Sequence, residues 1–167
     1  KGITHIGCTL INTLRFLCGD VVWAEAIPPY KQGSYGNDPS LNACLGFRNN
    51  ATAFIKGCDA KKYEYSIFEL DLMGSRGRIT ITDNGNTMRI SKPHAYRAYA
   101  GFKELVPEQT MRTHLHSAME LAADTIAHEL NGSCPNIHSA QEGLFDLIVV
   151  EALKRSAQQK GKRIVLA

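Results

Sequence analysis

His5, Thr9 and Asn12 stand at i, i+4 and i+7 near the start of a 167-residue chain, the spacing that stacks side chains on one face of a helix. Three polar groups at successive turns can line a polar site; a solvated helix face has the same spacing. Imidazole is the one group of the three that titrates near neutrality and can accept a proton, whereas a hydroxyl and an amide only orient a ligand by hydrogen bonds. Elsewhere the chemistry-bearing types are more scattered. His114 and His116 lie two apart, which points them to different sides of a helix, and no carboxylate or cysteine cluster accompanies them, so no metal site is expected. His94 with Tyr96, and Tyr30 with Lys31 and Tyr35, fall in stretches that read as loops, where binding residues and ordinary exposed residues both occur. Arg76 and Arg78 flank Gly77 in a basic turn that reads as a charged hairpin edge. No G-x-G-x-x-G follows a strand, so the chain is expected to hold no dinucleotide by itself.

The totals narrow the classes. A hydrophobic share of 44% suits one ordinary soluble domain. The 19 basic and 16 acidic residues are dispersed, which excludes a nucleic-acid partner as a reading. The run from Leu144 to Ala152 is far shorter than a bilayer span and contains Asp146 and Glu151, so no membrane partner is expected. Five cysteines, Cys8, Cys18, Cys44, Cys58 and Cys134, form an odd set without metal-finger spacing, which fits a reducing cytoplasm. The sequons at Asn50 and Asn131 are incidental in that setting. The chain starts at Lys1 with helix-like sequence almost at once, and is expected to be a piece cut from a longer one.

Elements that would position these residues follow from periodicity. Ile3, Ile6, Leu10, Leu14 and Leu17 predict a first helix from Ile3 to Cys18, stopped by Gly19-Asp20. Val21 to Ile27 predicts a strand ended by Pro28-Pro29, and 30–40 predicts a surface loop. Asn42 to Phe47, Thr52 to Gly57 and Tyr63 to Met73 predict antiparallel strands, with Asn49-Asn50 as a hairpin turn. Arg78 to Thr82 and Thr87 to Ser91, joined by Asp83-Asn84-Gly85, predict a second hairpin, followed by an irregular stretch. Leu115, Met119, Ala122, Ile126 and Leu130 predict a second helix ended by Gly132. Ser139 with Glu142 reads as the capping box of a third, whose apolar face would be Leu144, Leu147, Ile148 and Ala152 and which Gly161 would end before a short strand from Arg163 to Leu166. The fold class is therefore α+β: an open, mostly antiparallel sheet of about six or more strands with helices packed on one face. Along 63–72 both strand faces carry apolar or aromatic side chains, so self-association through the open sheet face is expected.

In order along the chain, three stretches resemble the C-terminal domain of the glucose-fructose oxidoreductase, inositol dehydrogenase and rhizopine-catabolism family. Gly2 to Gly19 resembles the helix D-x-G-x-[HY]-x-x-[DN]-x-x-R-x-L-x-G. Leu70-Asp71-Leu72-Met73-Gly74-Ser75-Arg76-Gly77-Arg78-Ile79 resembles the strand and turn, hydrophobic-G-[ST]-x-G-x-hydrophobic. Asn131 to Pro135, Gln141 to Leu144 and Ala152 to Ser156 resemble the closing segment. The resemblance implies a C-terminal substrate-binding and oligomerisation domain, residues 1–167, whose Rossmann domain would lie upstream and hold NAD or NADP near a catalytic lysine. It also implies a homo-oligomer formed through the open sheet face, and a small hydroxylated substrate such as a sugar or polyol. The fragment alone would then be inactive.

Two positions depart from that pattern. His5 stands where the family has Asp, and Thr9 stands where it has the His or Tyr that handles the substrate hydroxyl proton; Asn12 matches. A hydroxyl proton needs a base with a pKa near working pH, which threonine is not and imidazole one turn away is. The resemblance thus implies His5 and Thr9 as catalytic positions and Asn12 as substrate-binding. The alternative it leaves is a catalytically silent relative kept for ligand binding or assembly.

Overall fold

The structure, a computed structural model, describes residues 3, 7–27, 41–57, 67–133 and 139–166. In chain order the elements are α1 (Cys8–Cys18), β1 (Val21–Ile27), β2 (Asn42–Phe47), β3 (Thr52–Ile55), β4 (Leu70–Gly74), β5 (Gly77–Thr82), β6 (Thr87–Ala95) and β7 (Lys103–Arg112), then a 3-10 turn (Leu115–Ser117), α2 (Ala118–Leu130), α3 (Ala140–Gln158) and β8 (Ile164–Val165). They fall into two units, residues 1–64 with 136–167, and residues 65–135. The class is α+β with antiparallel pairing, as expected. Among the described residues the strands number eight and form two four-stranded sheets, β3-β2-β1-β8 and β4-β5-β6-β7. Hairpin turns specify neighbours within each meander, but whether one meander continues into the next is a matter of tertiary pairing, and β8 joins β1 from the far end of the chain.

In the first unit Ala43, Leu45 and Phe47 of β2 are buried opposite Ala26, Ala24 and Val21 of β1. Strict alternation would turn Val21 away from Ala24, and a bulge between Val21 and Trp23 restores it to the inner face. Helix α3 packs on β1, and α1 packs on α3 with Ile11 and Leu14 buried. The Ser139 side chain accepts from the Glu142 N–H at 3.2 Å, which is the Ser139 half of the expected capping box, while the Glu142 carboxylate goes to Arg15. The face of α3 differs from the expected one. Asp146, Val149, Val150, Ala152, Leu153, Ser156 and Ala157 are buried, while Leu144, Leu147 and Ile148 are exposed. This helix is apolar on two sides, so periodicity alone does not choose between them. The sheet takes the side on which Asp146 and Ser156 find partners.

The second unit is an antiparallel meander that mostly alternates, with Met73 on the polar face and Gln109 on the apolar one as exceptions. Leu70, Leu72, Ile79, Ile81, Met88, Ile90 and Met111 share one face by register, and Asp71, Arg78, Thr80, Arg89 and Thr110 share the other. Of the strand expected from Tyr63 to Met73, residues 63–66 lie outside the described residues, 67–69 are not in a strand, and β4 covers the rest, with Leu70 buried and Ile67 and Met73 exposed. Strand β7 replaces the expected irregular stretch. Its sequence hides it, because Pro107 lacks an N–H and the ladder shifts register beside it, opposite Ile90 and Ser91. The turns use backbone conformations suited to their residues: Asn50, Asp83, Asn84 and Gly85 all have positive φ. Helix α2 forms where expected, and none of its described residues is buried.

Candidate functional site

The candidate site is built on α1, whose apolar stripe Ile11 and Leu14 fixes which side turns inward. Gly19, at φ 85°, ends the helix, its N–H donating to the Arg15 carbonyl at 2.7 Å. Thr9 is exposed and Asn12 is half-buried on this helix. His5 lies outside the described residues. The structure therefore places two of the three expected residues, and it shows what holds the second.

Asn12 Nδ2 donates to Asp146 Oδ2 at 3.0 Å, across the junction of α1 and α3. Arg15, one turn on, donates from Nη1 to Asp146 Oδ1 at 2.6 Å and to the Glu142 carbonyl at 3.0 Å, and from Nη2 to Glu142 Oε2 at 2.6 Å. Its guanidinium also lies 5.3 Å from the centroid of the Phe145 ring. The side chains of Arg15 and Asp146 are 8% and 6% exposed, so this is an ion pair taken almost entirely out of water. Burial works against the charge on Arg15. The hydrogen bonds and charges of Asp146 and Glu142 outweigh it and hold the guanidinium above its ordinary pKa.

Arg15 and Asp146 carry no role in the sequence reading, and Glu142 appears there only as half of the Ser139 capping box. The signal was present: a carboxylate sits inside the apolar run of α3, and an arginine adjoins the apolar stripe of α1. A buried charge needs a partner of opposite sign. The other residues singled out are more ordinary. His94 is on β6 with Nε2 3.0 Å from Glu108 Oε1. The rings of His114 and His116 are exposed, 6.3 Å apart. Among the described residues no three His, Cys, Asp or Glu side chains gather at metal-binding spacing. Tyr30, Lys31 and Tyr35 lie outside the described residues. Arg78 makes a bidentate pair with Asp71, from Nε at 2.8 Å and Nη2 at 2.6 Å, and sits on the interior strand β5 and not on the expected charged edge. Tyr96, Tyr99, Phe102, Lys103 and Glu104 line an open cleft at the tip of the β6–β7 hairpin. Among the described residues no helix is long and apolar enough to cross a membrane.

No protein-family model and no curated protein matches the sequence. Solved structures do match the fold. Levoglucosan dehydrogenase, in complex with NADH and L-sorbose, is similar over 98% of this chain and 49% of its own, with a TM-score of 0.68 at 14% identity. The chain shares its fold with dehydrogenases. The WlbA dehydrogenase from Bordetella pertussis, in complex with NADH and UDP-GlcNAcA, covers 99% of this chain and 45% of its own, at TM-score 0.63 and 17% identity. An oxidoreductase from Agrobacterium radiobacter, in complex with NAD+, L-tartaric acid and magnesium, covers 98% and 48%, at TM-score 0.65 and 16% identity. The chain thus spans about half the length of the structures it matches. This fold agrees with the one that the sequence resemblance implies.

Proposed function

We propose that this chain is the C-terminal, substrate-binding and oligomerising domain of a nicotinamide-dependent oxidoreductase of the glucose-fructose oxidoreductase and inositol dehydrogenase family. Its substrate would be a sugar, polyol or related hydroxylated compound. The observation that carries this reading is the likeness of nearly the whole chain to about half of dehydrogenases whose structures hold NADH with a carbohydrate ligand. Among the described residues no glycine-rich turn leads from a strand into a helix. The described glycines with positive φ, Gly19, Gly77, Gly85, Gly101, Gly132 and Gly161, sit in turns and at helix ends, not between a strand and a helix N-terminus. NAD or NADP is therefore assigned to a Rossmann domain upstream, which supplies the hydride chemistry. What this chain contributes is the handling of the substrate hydroxyl. On α1, Thr9 and Asn12 orient it by hydrogen bonds, and His5, four residues before Thr9 in the sequence, is the base. The cysteines fit a reducing cytoplasm; burial pushes the Cys18 and Cys44 thiols up, with Glu25 adding to the effect at Cys44.

Kinetics of the full-length protein test this. His5→Ala is expected to lower turnover about a hundredfold, the scale for losing a positioned base, and to remove a limb of the pH profile near the histidine range. Thr9→Ala acts more weakly and on substrate binding. Unchanged turnover and pH profile in His5→Ala would remove His5 from the reading. A second reading, a silent relative kept for ligand binding or assembly, is favoured by Thr9 alone, which stands where the family has His or Tyr. Absence of turnover on any hydroxylated substrate would establish it in place of the first.

A further inference from the structure

We propose that Asp146 is a positioning residue that sets the rotation and register of α1, and the orientation of the Asn12 amide, for the reaction. The proposal rests on the assignment of the α1 face to substrate made above. Both oxygens of Asp146 are committed to α1: Oδ1 to Arg15 and Oδ2 to Asn12, three residues apart on one helix face. Glu142, one turn before Asp146 on α3, holds the other end of the Arg15 guanidinium through its carboxylate and its carbonyl. Four donor-acceptor contacts in fixed directions cannot all survive a turn or a slide of α1 along α3. Apolar contacts between the same helices would bind them without that directionality. A buried ion pair contributes little net stability against an apolar replacement, so its use here is geometric.

The anchor runs further. Helix α3 is itself seated on the sheet by Val149, Val150 and Leu153, and by Ser156 Oγ, which accepts from the Ala26 N–H at 2.9 Å. Asp146 thereby ties the α1 face that carries Thr9 and Asn12 to the rigid sheet. A carboxylate only accepts, so it also selects the amide rotamer of Asn12 in which the nitrogen faces α3.

Asp146→Leu alone strands the Arg15 charge inside the fold and is expected to unfold the domain. The informative protein is the Arg15→Met, Asp146→Leu double variant, which replaces the pair by apolar groups, with Asp146→Asn as the conservative partner that keeps an acceptor for Asn12. Two readouts are made beside thermal midpoints. In asparagine-15N-labelled protein, the Asn12 side-chain amide signal, assigned with Asn12→Asp, is expected to shift and exchange faster in the double variant and to be largely restored in Asp146→Asn. In the full-length enzyme the double variant is expected to keep its thermal midpoint but lose kcat about tenfold to a hundredfold, with a smaller change in KM, the scale of a misplaced reactive geometry. An unmoved Asn12 signal overturns the proposal. So does a double variant with normal kcat, whatever its midpoint, since the network would then be structural only. If the wild-type protein turns over no hydroxylated substrate, the functional reading fails, and the Asn12 signal still decides whether Asp146 orients that amide.

Discussion

The indole of Trp23 occupies the space over Gly46, on the outer face of the first sheet, where a side chain at 46 would stand. The Arg163 guanidinium stacks 3.8 Å from the centroid of that ring and donates to Glu25 Oε2 at 3.1 Å. A Cβ at 46 would fall inside the indole, and Gly46 is buried. Gly46→Ala is expected to destabilise the protein by about 1–3 kcal/mol, the usual cost of overpacking. Because Trp23 is the single tryptophan, its fluorescence in a urea titration reports both the displaced ring and the lower midpoint. An unchanged spectrum and midpoint would contradict the packing.

Ser156 is fully buried and accepts from the Ala26 N–H, beyond the two residues at which β8 pairs with β1. Ser156→Ala leaves a backbone donor inside the fold without that acceptor, at a cost of about 1–3 kcal/mol. Thermal or denaturant unfolding measures it, and Ser156→Thr, which keeps an oxygen, should recover part of the loss.

Hydrogen bonds from Arg78, opposed by slight burial and aided by the Arg78 charge, hold the Asp71 carboxyl below its ordinary value. A folded pKa depressed below the unfolded one contributes stability that is present above the unfolded value and is lost as pH falls through the folded one. Carboxyl NMR should show Asp71 titrating below the usual aspartate range, and Arg78→Ala should return it there. The pair is solvent-exposed, so the prediction concerns the titration and not a large change in stability.

Phe54 and Val165 are 80% and 77% exposed on the first sheet. If the outer face of this sheet, and not the 63–72 strand from which self-association was read, forms the proposed oligomer, light scattering after size exclusion should report a dimer or larger, and Phe54→Asp with Val165→Asp should shift it toward monomer. A strict monomer at about tens of micromolar, where a standard-size interface persists, would remove the sheet face as an interface.

Calorimetric titration of the isolated chain with NAD and NADP should show no saturable binding at micromolar concentrations, since the cradle is assigned to another domain. Binding in that range would contradict the division of labour proposed above.

Sequence alone determined the elements whose signals are local. The Ser139 cap, the Asn49-Asn50 and Asp83-Asn84-Gly85 turns and the glycine stops at 19 and 161 act within a few residues, and the structure has them where they were read, whereas α1 ends as read but buries Ile11 with Leu14 and leaves Leu17 of the expected stripe exposed. The ordered likeness to an oxidoreductase domain was legible for the same reason, as it rests on spacings along the chain. Tertiary structure decided what depends on partners distant in sequence. It divided the strands between two sheets, added β7 through pairing with β6, chose the buried side of a helix apolar on both, and joined Asn12 and Arg15 to a carboxylate 134 and 131 residues away. A buried charge can be suspected from an apolar run, but the residue that neutralises it is set by which helices pack together, and no local pattern encodes that contact.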